Sequence, residues 1–447
     1  MKSSMPRCVR SHERNVNEST ARRLYTLGWW LALPLVALYL LWRSLRQREY
    51  LRHWPERFLG RAAQVGPGAP RAPVIWLHAV SVGETRAAEP LVAALATEHP
   101  QASFVLTHMT PTGRAVGEGL ARALPGRIAQ RYLPYDVPFA IRRFFSEVTP
   151  AIGIVMETEL WPNLLFGARA AGVPMVLVNA RLSDRSLAKA QRAARLVRAA
   201  AACLARVGAQ SIGDRDRIAQ LYAGPVDVTG NMKFDIAPPS DLIERGRAMR
   251  TSFGERPVWL FASSREGEEA LVLDAFRKTK MGSDPIFLIV PRHPQRFDEV
   301  ARLIESRGFL CQRRSKGFKF AGDARPAVLL GDSMGEMALY YAAADAALIG
   351  GSLLPFGSQN LIEACAAGTP VVLGPSVFNF EQAARDAIGG GAAVQVSDAA
   401  EGVAALAAIT LDPPRLDRMR SAALAFAAAH RGATARTVAM IEEVLAS

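Results

Sequence analysis

A chain of 447 residues, half of them hydrophobic and 21% charged, is long enough for two domains with separate cores and too apolar to be disordered. Its four cysteines (Cys8, Cys203, Cys311 and Cys365) lie far apart with no C-x-x-C pair, which argues against a disulfide framework or a zinc site and fits a reducing compartment. The formal charge of +13 asks for an acidic partner. With the basic residues spread out and no nucleic-acid motif, the expected partner is anionic lipid rather than nucleic acid.

Residues 1–23 are polar and basic without periodicity and are expected to form a poorly ordered extension. The segment Leu24–Trp42 then runs nineteen residues without a charge, against the roughly 17–25 that a spanning helix needs. Trp29, Trp30 and Trp42 stand towards its ends, where interfacial aromatics belong. No small-residue cleavage site follows, so a retained anchor helix over 24–42 is expected. Basic residues flank it on both sides (Arg22 and Arg23 before, Arg43 and Arg46 after), so charge does not set its orientation. Spanning and interfacial placements both stand at this level.

From Val74 onward apolar runs alternate with helical stretches. Val74–Leu77, Phe104–Leu106, Ile152–Val155 and Met175–Val178 read as strands in the first half. Val258–Phe261, Ile286–Val290, Val328–Leu330, Ala346–Ile349 and Val371–Leu373 do so in the second. Continuous apolar strands separated by helices mean parallel sheets covered on both faces. Ile236–Ser240, with Pro238 and Pro239, cannot be helix and reads as a linker. The pattern predicts an α/β protein of two Rossmann-like domains facing a cleft, over residues 60–236 and 241–447, with no P-loop and no G-x-G-x-x-G.

Chemistry is expected at the carboxyl ends of strands. After the strand Ala346–Ile349 come Gly350 and Gly351, a loop through Gly357 to Asn360, and a helix over Leu361–Ala367 stopped by Gly368. Such a loop presents backbone N–H groups to a phosphate, and Glu363 is placed to accept ribose hydroxyls; an ordinary capped helix explains the same residues. Three junctions carry S-x-x-E: Ser81 to Glu84, Ser263 to Glu266 and Ser333 to Glu336. Each matches a capping box, the reading favoured for Glu266. At Glu84 the adjacent Gly83 lets backbone approach a ligand, and a helix N-terminus favours the ionised carboxylate that a general base needs. Glu157 and Glu159 beside Trp161 mark either a polar site or a helix start with Pro162 in its first turn. Lys233 is either a cleft residue or a solvated lysine, and Arg292 follows a strand where a guanidinium suits a phosphate. Asp214 and Asp216 read as helix capping rather than a D-x-D metal pair. Lys189, Arg192, Arg195 and Arg198 form a basic stripe, lipid-facing or merely solvated, and Arg313–Lys319 a basic surface loop.

Together these segments resemble the Kdo transferases of lipopolysaccharide assembly, which move 3-deoxy-D-manno-octulosonic acid from CMP-Kdo onto a lipid A precursor. The matching pieces run in order: HAVSVGET from His78, MTPTGR from Met109, LPYD from Leu133, METELWPN from Met156, NARLS from Asn179 and GNMKFD from Gly230. EGEE from Glu266, PRHPQRF from Pro291, GDSMGEM from Gly331, the stretch Gly350–Pro375 and Asn379-Phe380 complete them. The resemblance implies a GT-B glycosyltransferase, inverting and metal-independent, needing no cofactor beyond its donor CMP-Kdo, on the cytoplasmic side of an inner membrane. It puts the catalytic base on Glu84 and transition-state stabilisers on Glu157 and Lys233. It puts the CMP contacts on Pro291 and Arg292, on Met334, Gly335 and Glu336, and on Asn360, Leu361, Ile362 and Glu363. Two positions depart from the pattern: Gln359 and Arg265 stand where many relatives have histidine. A GT-B enzyme with another donor and a membrane-anchored binding protein without catalysis are the competing readings. The three residues Glu84, Glu157 and Lys233 together speak against the second.

Overall fold

The computed structural model describes residues 7–61, 73–279, 285–318 and 328–447, with side chains from residue 20 onward. Residues 1–6 of the expected extension and Lys319 of the basic loop lie outside the described residues. The first helix, α1, spans Arg7–Ser44. The extension expected to be poorly ordered is therefore helical from Arg7. Charged residues such as Arg and Glu are good helix formers, so a helix nucleated by the apolar segment propagates back through them.

The chain forms two compact units, one of residues up to Ile236 together with Gly432–Ser447, the other Ala237–Arg431. The first holds β1 (Val74–His78), β2 (Ser103–His108), β3 (Ile128–Tyr132), β4 (Ile152–Met156), β5 (Met175–Ala180), β6 (Leu204–Ala209) and β7 (Val226–Val228). The second holds β8 (Val258–Ser264), β9 (Ile286–Pro291), β10 (Cys311–Arg313), β11 (Val328–Leu330), β12 (Ala346–Ile349), β13 (Val371–Leu373) and β14 (Ala393–Gln395). Each unit carries a seven-stranded sheet, ordered β3-β2-β1-β4-β5-β6-β7 and β10-β11-β9-β8-β12-β13-β14. Every described strand pair is parallel; β1, for example, pairs with β2 and with β4.

The nine predicted strands are present, and β3, β6, β7, β10 and β14 are additional. The extra strands lack a continuous apolar run because they lie at or next to a sheet edge, where polar side chains find partners. Arg206 on β6 pairs with Asp227 on β7 across the ladder at 2.6 Å. In the central strands alternation sends Ile75 and Leu77 into one core layer and Trp76 into the other, so both faces are buried and the pattern reads as unbroken apolarity.

The last helix, Ala433–Leu445, belongs to the first unit, whereas the linear division places it in the second. The Asp235 carboxylate accepts the backbone N–H groups of Gly432 and Thr434 at the start of this helix. Met440 and Ile441 are buried in the layer that holds Ile75 and Leu77; burying each such side chain contributes about 1.5–3 kcal/mol. An apolar helix face is added to whichever core is open, irrespective of chain order.

Candidate active site

In both sheets the strand order reverses at one point, between β1 and β4 and between β8 and β12. Loops leaving neighbouring strands in opposite directions there open a crevice at the carboxyl ends. In the first unit these loops carry Glu84 and Glu157; in the second they carry Arg265 and the glycine-rich segment.

Glu84 sits in the first turn of the helix Val82–Glu98, whose N-cap is Ser81. Its Oε2 accepts the Val80 backbone N–H at 2.6 Å, and the Ser81 hydroxyl lies 3.4 Å from Oε1. The capping geometry is thus realised, but burial outweighs the helix N-terminus that was expected to favour the ionised carboxylate. Burial, then the neighbouring Glu157, push its pKa up to about 7, against the lowering effect of the Val80 N–H. Nearby His78 is fully buried and pushed down to about 3 by burial, so it stays neutral.

Glu157 follows β4 directly, in left-handed backbone at φ 56°; holding a non-glycine residue there costs on the order of 1–3 kcal/mol and marks functional sites. Its carboxylate lies between Lys233 Nζ at 3.0 Å and Arg181 Nε at 3.3 Å. Two residues on, Glu159 accepts the Trp161 indole N–H at 2.6 Å. Lys233 stands on a 3-10 turn, Met232–Asp235. Asn231 Oδ1 accepts the Lys233 N–H at 3.0 Å and the buried Asn179 Oδ1 accepts the Met232 N–H at 3.1 Å. The structure therefore brings Glu84, Glu157, Glu159 and Lys233 together. It adds Arg181 and Asn179, which spacing alone did not single out. Their signal was the NARLS segment at the carboxyl end of a buried strand.

In the second unit Arg292 reaches the loop after β12, which leads into Asn360–Glu363. Pro291 ends β9, and the next residue, Arg292, donates its N–H to Ser264 O and its Nε–H to Gln359 Oε1 at 3.1 Å. Gln359 thus serves as an acceptor that orients Arg292. Arg265 lies over the Phe356 ring at 4.4 Å and pairs with Glu266. Asn360 donates to Glu363 Oε1 at 3.0 Å and accepts the Ile362 N–H at 3.0 Å. The helix here is shorter than predicted, Ile362–Ala366, because Asn360 forms a side-chain turn and Leu361 precedes the first helical residue. Met334 is exposed, Gly335 takes φ 79°, and Glu336 is held by Ser333, Arg314 and Arg245.

The capping box expected at Ser263 to Glu266 does not form. Glu266 is exposed beside Arg265, and the helix starts at Glu268 behind Gly267 in left-handed backbone. The capping role passes to Glu268, which the sequence reading did not single out. Its fully buried carboxylate accepts the N–H groups of Arg265, Gly351, Leu353 and Leu354, so one side chain shapes the first part of the glycine-rich loop. Gly350 makes the close approach possible: a Cβ there would lie 2.4 Å from Ser263 O and 2.6 Å from Ser264 Cα. We expect Gly350→Ala to force backbone apart and to destabilise the protein by about 1–3 kcal/mol, read as a lowered thermal midpoint with weakened nucleotide affinity.

Asp214 and Asp216 are not a ligand pair. Asp214 is buried, accepting from Leu182 N and the Ser211 hydroxyl, while Asp216 is exposed beside Arg215. Among the described residues no group of three His, Cys, Asp or Glu side chains is arranged to hold a metal ion.

A family model described as 3-deoxy-D-manno-octulosonic-acid transferase (kdotransferase) matches residues 52–236. The 3-deoxy-D-manno-octulosonic acid transferase of Bordetella pertussis is 46% identical over 95% of this chain and 99% of its own length. The chain belongs to this family. The Haemophilus influenzae member is 33% identical over 95% of this chain and 99% of its own length. In fold, the chain is similar to Anabaena HepE in its complex with UDP, with a TM-score of 0.58 at 14% identity, covering 84% of this chain and all of that one. The Neisseria meningitidis UDP-GlcNAc 2-epimerase bound to UDP-GlcNAc gives a TM-score of 0.53 at 14% identity, covering 84% and all of the respective chains. The two parallel seven-stranded sheets and these neighbours give the chain a GT-B fold.

Proposed function

We propose that the chain transfers Kdo from CMP-Kdo to a lipid A precursor with inversion, Glu84 acting as general base. The observation that carries this reading is the Glu84 carboxyl, buried beside Glu157 and poised near neutral pH, in a member of the Kdo transferase family. Inversion needs one base on the face opposite the departing nucleotide, and a base works best with a pKa near the operating pH. Glu157, itself paired with Arg181, holds Lys233 beside the base, where charge develops as the acceptor hydroxyl is deprotonated. In the second unit Arg292 suits the donor phosphate and Glu363 the ribose hydroxyls, with Asn360, Leu361, Ile362, Pro291, Met334, Gly335 and Glu336 as the remaining CMP contacts. Cationic side chains take the place of a metal in this scheme.

The membrane part of the proposal rests on α1. Thr20–Ser44 is long and apolar enough to cross a bilayer, its most apolar 18-residue stretch having a mean hydropathy of 1.7. Yet Trp29, Leu33, Val36 and Leu40 pack on the first unit, while Leu24, Leu27, Leu31, Leu35 and Leu38 face outward. A helix bound along its length to a folded unit lies in the interface with its leucine face in the acyl layer. The helix Ala194–Ala201, carrying Arg195 and Arg198 of the basic stripe, packs beside α1, which suits an anionic inner-membrane surface on the cytoplasmic side.

The test is transfer by purified full-length protein to a lipid A precursor, with CMP-Kdo generated in the assay and EDTA present. We expect product masses increased by whole Kdo units, whose number also counts the sugars added. CMP binding without product would favour a binding protein or another acceptor.

A further inference from the structure

The inward face of α1 touches the segment that carries Glu157 and Glu159. Arg22 and Thr26 reach Asn163 Oδ1, each at 3.2 Å, and the Tyr25 hydroxyl donates to Asp136 Oδ2 at 2.8 Å. Asp136 is buried, and its carboxylate accepts the backbone N–H groups of Asn163 and Leu164 at the start of the helix Pro162–Ala170. Trp29 stacks on Trp161, with ring centroids 6.2 Å apart and planes at 29°, and packs on Tyr135 from the other direction. Trp161 meets the buried His78 edge-on and donates its indole N–H to Glu159.

Residues 22, 25, 26 and 29 recur at i, i+3, i+4 and i+7, one continuous helical face. A helix that served only for insertion would gain nothing from Tyr25, Thr26 and Arg22 on a single stripe, since a lipid-embedded surface favours apolar side chains all round. Between β4 and the helix Pro162–Ala170 the backbone bonds are Glu157 N to Val178 O at 3.0 Å, which ties the start to β5, and two short-range ones, Glu159 N to Met156 O at 3.3 Å and Leu160 N to Thr158 O at 2.8 Å. Beyond Glu157 its geometry therefore depends on side-chain contacts. On one side these come from Lys233 and Arg181, on the other from α1.

We propose that Tyr25 and Trp29 of the anchor helix are positioning residues for the acceptor-side site, fixing Glu157–Asn163 so that the anchor sets the rate of transfer as well as the membrane address. This rests on the transfer reaction proposed above. The charged groups facing Glu84 are Glu157, Glu159 and Lys233, two of them on this segment. Loosening it changes the surroundings of the base without touching the base.

The experiment uses full-length protein and four variants: Trp29→Ala, Trp29→Phe, Tyr25→Phe, and Leu31→Ala with Leu35→Ala. Three readouts are taken: flotation with phosphatidylglycerol-containing vesicles, kcat and KM on a deacylated water-soluble acceptor, and amide hydrogen exchange of residues 157–164. For Trp29→Ala we expect unchanged flotation, kcat about tenfold lower with KM for CMP-Kdo unchanged, a displaced acid limb of the kcat–pH profile, and amide exchange at least tenfold faster. Trp29→Phe should recover most of the rate. Tyr25→Phe, which removes one oxygen and cannot unfold the helix, should speed exchange at Asn163 and Leu164. The outward leucine pair should lose flotation and keep kcat on the soluble acceptor. Wild-type kcat, pH limb and exchange in both Trp29→Ala and Tyr25→Phe would overturn the proposal and leave α1 a tether. If the wild-type protein transfers nothing, the reaction itself is refuted. The exchange data then decide the positioning alone: faster exchange supports it and unchanged exchange overturns it.

Discussion

Glu84→Gln should keep CMP binding and lose transfer by about 10²–10⁴-fold, the usual worth of a positioned base. Glutamine keeps the size of the side chain and, through its carbonyl oxygen, the bond from the Val80 N–H that holds the helix start. What disappears is the capacity to take a proton. The pH dependence carries the same signature. A base must be deprotonated to act, and burial together with Glu157 pushes the Glu84 pKa up to about 7. The rate should therefore fall roughly tenfold per pH unit below that value and level off above it. Lys233 favours the ionised form of Glu84. Lys233→Met should accordingly move the acid limb to higher pH besides lowering kcat. Near-normal turnover in Glu84→Gln would remove Glu84 from the role of base, and an acid limb near pH 4.5 in the wild type would show that burial does not raise its pKa.

Glu268→Gln should collapse the donor side without altering any residue expected to touch the nucleotide. The carboxylate of Glu268 accepts four backbone N–H groups in a fully buried position. An amide offers one acceptor oxygen and turns an NH₂ towards donors, leaving two or more buried N–H groups unsatisfied. Bonds to a charged acceptor are worth about 1.5–3 kcal/mol each, and disrupting such a buried set costs on the order of 3–5 kcal/mol. Denaturant unfolding should show that loss. Nucleotide affinity should fall more than tenfold, because the Gly351–Leu354 backbone loses the anchor that shapes it. Full stability and affinity in Glu268→Gln would mean that the loop holds its form by other means.

Which parts of this were legible in the chain follows from the range of each interaction. The central strands were readable because strands buried on both faces must be apolar throughout, a requirement local to each run. Strands at or beside an edge, such as Ile128–Tyr132 and Leu204–Ala209, were missed because they hold Arg131 and Arg206, whose partners Glu147 and Asp227 come from elsewhere in the fold. The Ser263 to Glu266 box was a correct local pattern that lost to a nonlocal one. Glu268 gains N–H donors from Gly351 to Leu354 more than eighty residues away.

The sequence by itself determined the α/β class, the apolar N-terminal helix, the positions of the candidate loops and, through its ordered motifs, the family. These depend on periodicity, turn chemistry and residue identity, which are written along the chain. Only the tertiary structure decided that Asp235 and an open apolar layer hold the last helix on the first unit. It alone set Glu157 between Lys233 and Arg181, placed Gln359 as the acceptor for Arg292, and turned one stripe of α1 towards Asp136, Trp161 and Asn163. Each of these joins residues far apart in sequence. The strength of a hydrogen bond, an ion pair or a ring contact depends on separation in space and on exclusion of water, and a chain acquires both only by folding.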